Sequence, residues 1–148
     1  MGIPTLIPLK EGVKMANIKK YNVIREAESS LKRYKKLLVL IDNTMEELFF
    51  YRDLVRSYSD DSIKKRIKEQ VIRERESMDR YLYEKALILD IINEIEHEQL
   101  QEVLKCVYID NKSLVMDLGY SAAESIKLKD EALFEYGMML RERKKNEC

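Results

Sequence analysis

Hydrophobic residues recur every three or four positions along most of the chain, the spacing that gathers them on one face of an α-helix. Between Tyr21 and Tyr58 there is neither glycine nor proline. The apolar steps in this stretch alternate between three and four, as in the seam of a coiled coil: Ile24, Ala27, Leu31, Tyr34, Leu38, Ile41, Met45 and Leu48. The pattern predicts one long amphipathic helix.

A second helical pattern follows a polar break, "SYSDDS", at residues 57–62. Asp60, Asp61 and Ser62 are residue types that cap helix N-termini, and acidic groups favour the positive end of a helix. The apolar positions after the break are Ile63, Ile67, Val71, Met78, Tyr81, Leu82, Ile88, Leu89, Ile92 and Ile95. Two long amphipathic helices joined by a short turn predict an antiparallel helical hairpin.

The apolar phase shifts after the second pattern, and the rest of the chain predicts smaller elements. Leu100, Val103, Leu104 and Val107 indicate a helix over residues 98–109. The segment "LVMDLG" at residues 114–119 predicts a very short helix, ended by a glycine that can take the left-handed conformation.

A last helix is predicted from Ser121 toward Leu140, because Ser121 and Glu124 have the spacing of a capping box. A turn containing Gly119 between a short helix and a capped helix is the layout of a helix-turn-helix. An ordinary helix corner has the same spacing, so both interpretations remain open here. The predicted fold is all-α: a long, antiparallel, coiled-coil-like helical hairpin over residues 15–96, then a small helix-turn-helix-like unit over residues 97–148.

Residues 1–14 contain both prolines of the chain and show no helical period, and Met15 follows them directly. This segment fits a translated leader that precedes a natural start at Met15. It also fits an N-terminal arm that packs Ile3, Leu6 and Ile7 on a partner. We expect little structure there in either case.

Composition limits the classes of function. The chain has 27 basic and 27 acidic residues, so it has no general attraction for nucleic acid or acidic membranes, and any such binding needs local charge asymmetry. Two cysteines, Cys106 and Cys148, are too few for a disulfide framework or a metal cluster. No apolar run approaches the length of a membrane span and no secretory signal is present, so a cytoplasmic location without membrane binding is expected.

Catalytic motifs are incomplete in this sequence. "HEQLQ" begins like a zinc-protease helix at His97 but has Gln101 where the second histidine is needed. Glu94 and His97 have the spacing found in di-iron bundles, which need two such pairs, and the chain has one histidine. With no glycine-rich phosphate loop either, we predict no enzyme activity, no cofactor and no metal.

The C-terminal layout resembles the ArpU/RinA-type phage transcriptional regulators, whose C-terminal part is similar to the DNA-binding region four of sigma factors. The resemblance rests on "VLKCVYIDNKSLVMDLGYS" and "DEAL", where the matching residues are Tyr108, Ile109, Lys112, Leu118, Tyr120, Ser121, Ala132 and Leu133. This chain lacks three residues, the usual tryptophan among them, between Ile109 and Leu118, and Ser125 replaces an inward valine.

The resemblance implies a phage- or prophage-type transcriptional regulator that meets promoter DNA or RNA polymerase through this unit. The hairpin would provide dimerisation or docking. The residues expected to touch DNA are Ser121, Ala123, Lys127 and Lys129, with Lys112 on the phosphate backbone.

Charge around the turn that contains Gly119, which we call the hinge, opposes simple DNA binding. Residues 97–136 carry four basic against eight acidic side chains, a net charge of −4 with the histidine neutral, and duplex DNA is itself strongly negative. Basic residues are grouped elsewhere, at Arg141–Lys145 and early in the first helix: Lys19, Lys20, Arg25, Lys32, Arg33, Lys35 and Lys36. They would hold phosphates if the fold brought them beside the hinge. The alternative is a non-enzymatic phage module that binds and inhibits a host or defence protein on the same scaffold, with DNA binding lost.

Overall fold

The computed structural model describes residues 11–147, with side chains from residue 16 onward, and this part of the chain is almost entirely helical. The helices are α1 (Glu11–Arg56), α2 (Asp61–Glu94), α3 (Glu98–Leu104) and α4 (Ala122–Asn146). A π-helical segment, Lys105–Ile109, continues α3 directly. No strand occurs among these residues, which confirms the all-α prediction, and no helix in this range is both long and apolar enough to cross a membrane.

The first helix begins at Glu11, four residues before the predicted start of the hairpin at residue 15. Residues 11–14 of the predicted leader therefore belong to α1, whereas residues 1–10 and Cys148 lie outside the described residues. At about 1.5 Å per residue, α1 extends over roughly 70 Å and α2 over roughly 50 Å. The prediction of two long helices separated by a polar break is confirmed.

α1 and α2 lie side by side and run in opposite directions. Arg33 forms an ion pair with Glu84, and Glu47 lies against Glu74, so residues later in α1 contact residues earlier in α2. The Asp60 side chain accepts a 2.8 Å hydrogen bond from the Ser62 amide and caps α2, as its residue type predicted.

α4 packs across the first half of α1 and also contacts α2. The Ser30 hydroxyl of α1 and the Tyr136 hydroxyl of α4 are 2.8 Å apart and hydrogen-bonded. Arg141 forms a two-pronged ion pair with Glu26 of α1, and Arg143 of α4 pairs with Glu94 of α2. These contacts hold the end of the chain against the start of α1.

The buried core lies at one end of the α1–α2 pair. It is formed where the first half of α1 and the second half of α2 meet α3, the π-helical segment and α4, and its fully buried members include Leu31, Leu37, Ile88, Ile91, Ile92, Ile95, Leu104, Leu133 and Tyr136. We call residues 38–82 the distal arm. In the distal arm, only Ile41, Thr44 and Ile67 are buried.

The predicted coiled-coil seam is wrong at two positions of α1. Leu38 and Met45 are exposed, whereas Leu37 and Thr44 are buried in their place. Leu37 belongs to the buried core that residues of α4 and the π-helical segment also form, so α2 alone does not select the buried face at this position. Thr44 tolerates burial because its hydroxyl donates a 2.7 Å hydrogen bond to the Leu40 carbonyl.

The short helix predicted at residues 114–119 is also wrong, because this segment forms a turn. The Ser113 amide donates to the Asp117 carboxylate at 2.7 Å, and the Met116 amide donates to the Ser113 hydroxyl at 3.1 Å. These side chains take the place of backbone partners in a segment that is too short to build a helical ladder. The turn still ends at Gly119, whose φ of +74° is the left-handed conformation predicted for it.

Candidate nucleic-acid interface

The start of α4 is fixed by the residues that the sequence singled out. The Ser121 hydroxyl accepts a 3.1 Å hydrogen bond from the Glu124 amide and donates a 3.3 Å bond to the Glu124 carboxylate. The Tyr120 amide donates to the Leu114 carbonyl at 3.1 Å and closes the turn below it. The first turns of α4 are thereby held in one orientation, with their outer side in solvent.

The predicted DNA-contacting residues do not form one cluster. Ala123 and Lys127 are exposed on the outer side of α4, and Ser121 is exposed but has its hydroxyl engaged in the cap. Lys112 is exposed on the wall of a cleft that also holds Glu98, Glu102 and Asp110, so its charge is surrounded by acidic groups. Lys129 is half-buried, with its ammonium 5.8 Å from the centre of the Tyr108 ring.

The outer side of α4 carries few groups that read bases. The exposed side chains of the first turns of α4 are Ala122, Ala123, Glu124, Ile126, Lys127 and Asp130. Arginine, asparagine and glutamine make the usual two-pronged contacts with base edges, and none of them is in this set. These side chains offer one cation, Lys127, two acids, Glu124 and Asp130, and three apolar groups, which suits shape contacts better than base-specific ones.

The structure brings lysines of α1 beside the hinge. Lys32 and Lys35 of α1, Lys129 of α4, and Asn111 from the turn after the π-helical segment line one cleft of about 230 Å³. Leu31, Val107 and Tyr108 form the rest of its lining. We call this space the lysine cleft. Sequence reasoning grouped Lys32 and Lys35 as basic residues but gave no signal that they would lie next to Lys129.

Charge in the lysine cleft is only partly compensated. Lys32 pairs with Glu28 at 2.9 Å. This hydrogen bond holds the pKa of Glu28 below its usual value, and the charge of Lys129 adds to the effect. Lys35 and Lys129 form no ion pair with any carboxylate in the described part of the chain. The cleft therefore has an excess of positive charge, in contrast to the acidic segment around it.

Tyr108 contributes an unsatisfied group at the same place. Its side chain is 6% exposed, and its buried hydroxyl has no hydrogen-bond partner of regular geometry among the described residues. Burial raises the pKa of Tyr108 well above its usual value, and the nearby Glu28 carboxylate raises it further. The hydroxyl thus stays protonated at neutral pH and retains a proton that it can donate.

The Glu94 and His97 pair has an observed structural role. Glu94 forms an ion pair with Arg143, and the exposed His97 occupies the cap position of α3, where its carbonyl accepts bonds from Leu100 and Gln101. Among residues 11–147, no group of three or more histidine, cysteine, aspartate or glutamate side chains is placed to hold a metal ion.

No family model matches the chain, and no curated protein and no solved structure is significantly similar to it.

Proposed function

We propose that this chain is a phage-type transcriptional regulator that binds duplex DNA with its C-terminal unit. In this proposal α3, the following turn and α4 act as a shortened helix-turn-helix, and the first turns of α4 enter a groove. The observation that carries the proposal is the lysine cleft. There Lys32 and Lys35 of α1 lie beside Lys129 of α4, next to a segment that is itself acidic. This supplies the local charge asymmetry that a chain of zero net charge needs in order to bind DNA.

The proposed contacts are mostly to the phosphate backbone. Lys127 and the lysine cleft supply cations on either side of the first turns of α4, while Ala123 allows close approach of the helix to the duplex. Contacts to phosphates position a protein but carry no sequence information. Specificity would then come from DNA shape or from RNA polymerase bound at the same promoter.

The direct test measures duplex DNA binding by fluorescence anisotropy at low and moderate salt. We expect binding that weakens as salt rises and a large loss of affinity when Lys127→Glu and Lys129→Glu are combined. Lys65→Glu, an equal charge change per residue on the exposed side of the distal arm, serves as the control. Absence of binding by the unaltered chain at low salt would refute the proposal.

A second candidate function is a protein-binding module that inhibits a host or defence protein. It is favoured by the apolar side chains that the hinge exposes: Val115 at 43%, Met116 at 84% and Ile126 at 66%. Ile126 lies two helical turns before the buried Leu133, on the same face of α4. Leu133 packs in the core, whereas Ile126 is exposed to solvent. If Ile126→Glu abolishes capture of a host protein while DNA binding is absent, this second function is the correct one.

We further propose that the distal arm mediates self-association of the regulator. A groove of about 550 Å³ between α1 and α2 is lined by apolar side chains that include Met45, Phe49 and Ile72, each 44% exposed or more. Basic side chains border the groove (Arg52, Lys68 and Arg75), and acidic ones lie on the neighbouring face (Glu46, Glu47 and Glu74).

A second copy is the occupant that fits these charges. In a two-fold dimer the same patch is used twice, so the basic border of one copy can lie on the acidic face of the other. Glu47 and Glu74 lie close together on the acidic face. A hydrogen bond with Glu74 and the repulsion between the two carboxylates raise the pKa of Glu47, so this face is unfavourably rich in negative charge. An arginine from a second copy would relieve that repulsion.

A further inference from the structure

We propose that the lysine cleft is a binding site for a single phosphate group of the DNA backbone, with the Tyr108 hydroxyl as one of its hydrogen-bond donors. This inference rests on the proposed function and makes it more specific. In this arrangement α1, which lies outside the helix-turn-helix, contacts the duplex beside α4.

The first support is the convergence of cations from separate elements. Lys32 and Lys35 are one helical turn apart on α1, and Lys129 comes from α4, more than 90 residues later in the chain. Lys35 and Lys129 form no ion pair in the described residues, and Glu28 interacts with Lys129 only through its charge. A phosphate oxyanion is the chemical group that matches two or three ammonium groups around a small concave space.

The second support is the buried Tyr108 hydroxyl, which contacts the Glu28 carboxylate without a hydrogen bond of regular geometry. A buried polar group without a hydrogen bond is unfavourable, and natural structures leave few of them. Tyr108 lines the same cleft, its ring lies beneath the Lys129 ammonium, and the side chains next to its hydroxyl, Glu28 and Lys129, are long enough to move aside. A phosphate oxygen would give the hydroxyl an acceptor and give Lys129 an opposite charge in one step.

The backbone at this site is also unusual. The π-helical turn that carries Tyr108 closes with a bond from the Asp110 amide to the Lys105 carbonyl at 2.7 Å. Asn111, which follows it, has a φ of +61°, a conformation uncommon for residues other than glycine. Isolated π-helical turns are frequent at functional sites. Here the irregular backbone is what turns Tyr108 and Asn111 toward α1.

The decisive variants are Lys35→Gln and Tyr108→Phe, with Lys127→Gln as a probe of the α4 surface and Lys65→Gln as the charge-matched control. Duplex affinity is measured over a series of salt concentrations. Each lost phosphate contact lowers the slope of log K against log salt by about one. We expect Lys35→Gln to change the slope by that amount and Lys65→Gln to leave it unchanged.

Tyr108→Phe separates binding from folding. Removing an unsatisfied buried hydroxyl is expected to raise the melting temperature of the free protein, while the loss of a donor to a charged phosphate lowers duplex affinity by about tenfold. A variant that is more stable and yet binds less tightly cannot be explained by misfolding. If Tyr108→Phe and Lys35→Gln bind DNA with unchanged affinity and salt slope, the phosphate site is wrong, although DNA binding itself stands.

A second probe, inorganic phosphate at constant ionic strength, distinguishes failure of the site from failure of the function. Chemical shifts of the lysine-cleft residues are followed by NMR during the titration. We expect saturable shifts that Lys35→Gln abolishes and Lys127→Gln preserves. If these shifts occur while no duplex binds, the phosphate site is retained and the regulator proposal fails. If neither probe binds, both fail.

Discussion

Gly137 in α4 lies against the backbone of Val23 in α1. A Cβ atom built on Gly137 would be 2.5 Å from the Val23 Cγ1 and 2.6 Å from the Val23 carbonyl oxygen. Both distances are far below van der Waals contact, so only glycine permits this approach of the two helices. The crossing brings Tyr136 within reach of Ser30 and directs the start of α4 toward the lysine cleft.

Gly137→Ala is therefore expected to destabilise the fold by about 1–3 kcal/mol, because the added methyl group meets backbone that cannot rotate away. The measurement is chemical denaturation, with hydrogen exchange to locate the effect. Protection should fall along both α1 and α4.

Gly119→Ala is the matched control for this prediction. Its Cβ would meet nothing within 4 Å, but its φ of +74° is strained for alanine, at a cost of about 1–2 kcal/mol. Loss of protection in this variant should be confined to the hinge. An unchanged stability of Gly137→Ala would show that the two helices are not in contact as described.

Substitution by alanine should change the free energy of unfolding in opposite directions at Ser121, the N-cap of α4, and at Ser125, four residues later. Ser125 is buried with its hydroxyl unpaired, so Ser125→Ala should raise the free energy of unfolding by about 1 kcal/mol. Ser121 caps α4, so Ser121→Ala should lower it by about 1 kcal/mol. Urea denaturation of the two variants in parallel measures both. A loss of stability in Ser125→Ala would mean that its hydroxyl has a partner.

Alkaline pH should unfold the core end of the molecule. Burial raises the pKa of Tyr136 to about 12 and also raises that of Tyr108. An acid whose pKa is raised by folding favours the folded state at pH values below its unfolded pKa, which is about 10 for tyrosine. This contribution is lost as the pH rises from about 10 toward 12. Melting temperatures across that range should fall together with the appearance of tyrosinate absorbance.

Tyr136→Phe isolates the part of this response that belongs to one residue. The variant loses the hydrogen bond to Ser30, at a cost of about 1 kcal/mol near neutral pH. Its stability should then decline less steeply above pH 10 than that of the unaltered chain. Parallel declines would exclude Tyr136 as a contributor.

Self-association of the distal arm predicts a specific effect of Phe49→Glu. A charge in the apolar groove should shift sedimentation from dimer toward monomer at a given concentration, because burying an unpaired carboxylate in an interface is unfavourable. Ile126→Glu introduces the same charge at an exposed apolar site on α4 and should leave the dimer intact. A chain that sediments as a monomer without any substitution would refute the dimer.

Local signals were predictable from the sequence, and contacts between distant segments were not. The caps at Asp60 and Ser121 and the left-handed Gly119 involve residues within a few positions of one another, so their residue types were enough to identify them. Leu37 is buried in place of Leu38, and it shares its core cluster with residues of α4 and the π-helical segment, which come from far along the chain. No periodicity in α1 alone contains that information.

The lysine cleft shows the same limit at the candidate site. Lys32 and Lys129 are distant in sequence, and their proximity depends on the angle at which α4 crosses α1. The α-helix predicted over residues 98–109 gave no indication of the π-helical turn that aims Tyr108 at the cleft. Of the residues proposed from the resemblance, only Lys129 lines the lysine cleft.

The one-sided core has a consequence for how the chain unfolds and assembles. With three buried side chains along its whole length, the distal arm has little tertiary packing of its own, and its amide protons should exchange through openings that leave the rest of the molecule folded. Association with a second copy would then supply the packing that the arm lacks. Dimer formation and ordering of the arm become one equilibrium, so the apparent stability of this region should rise with protein concentration.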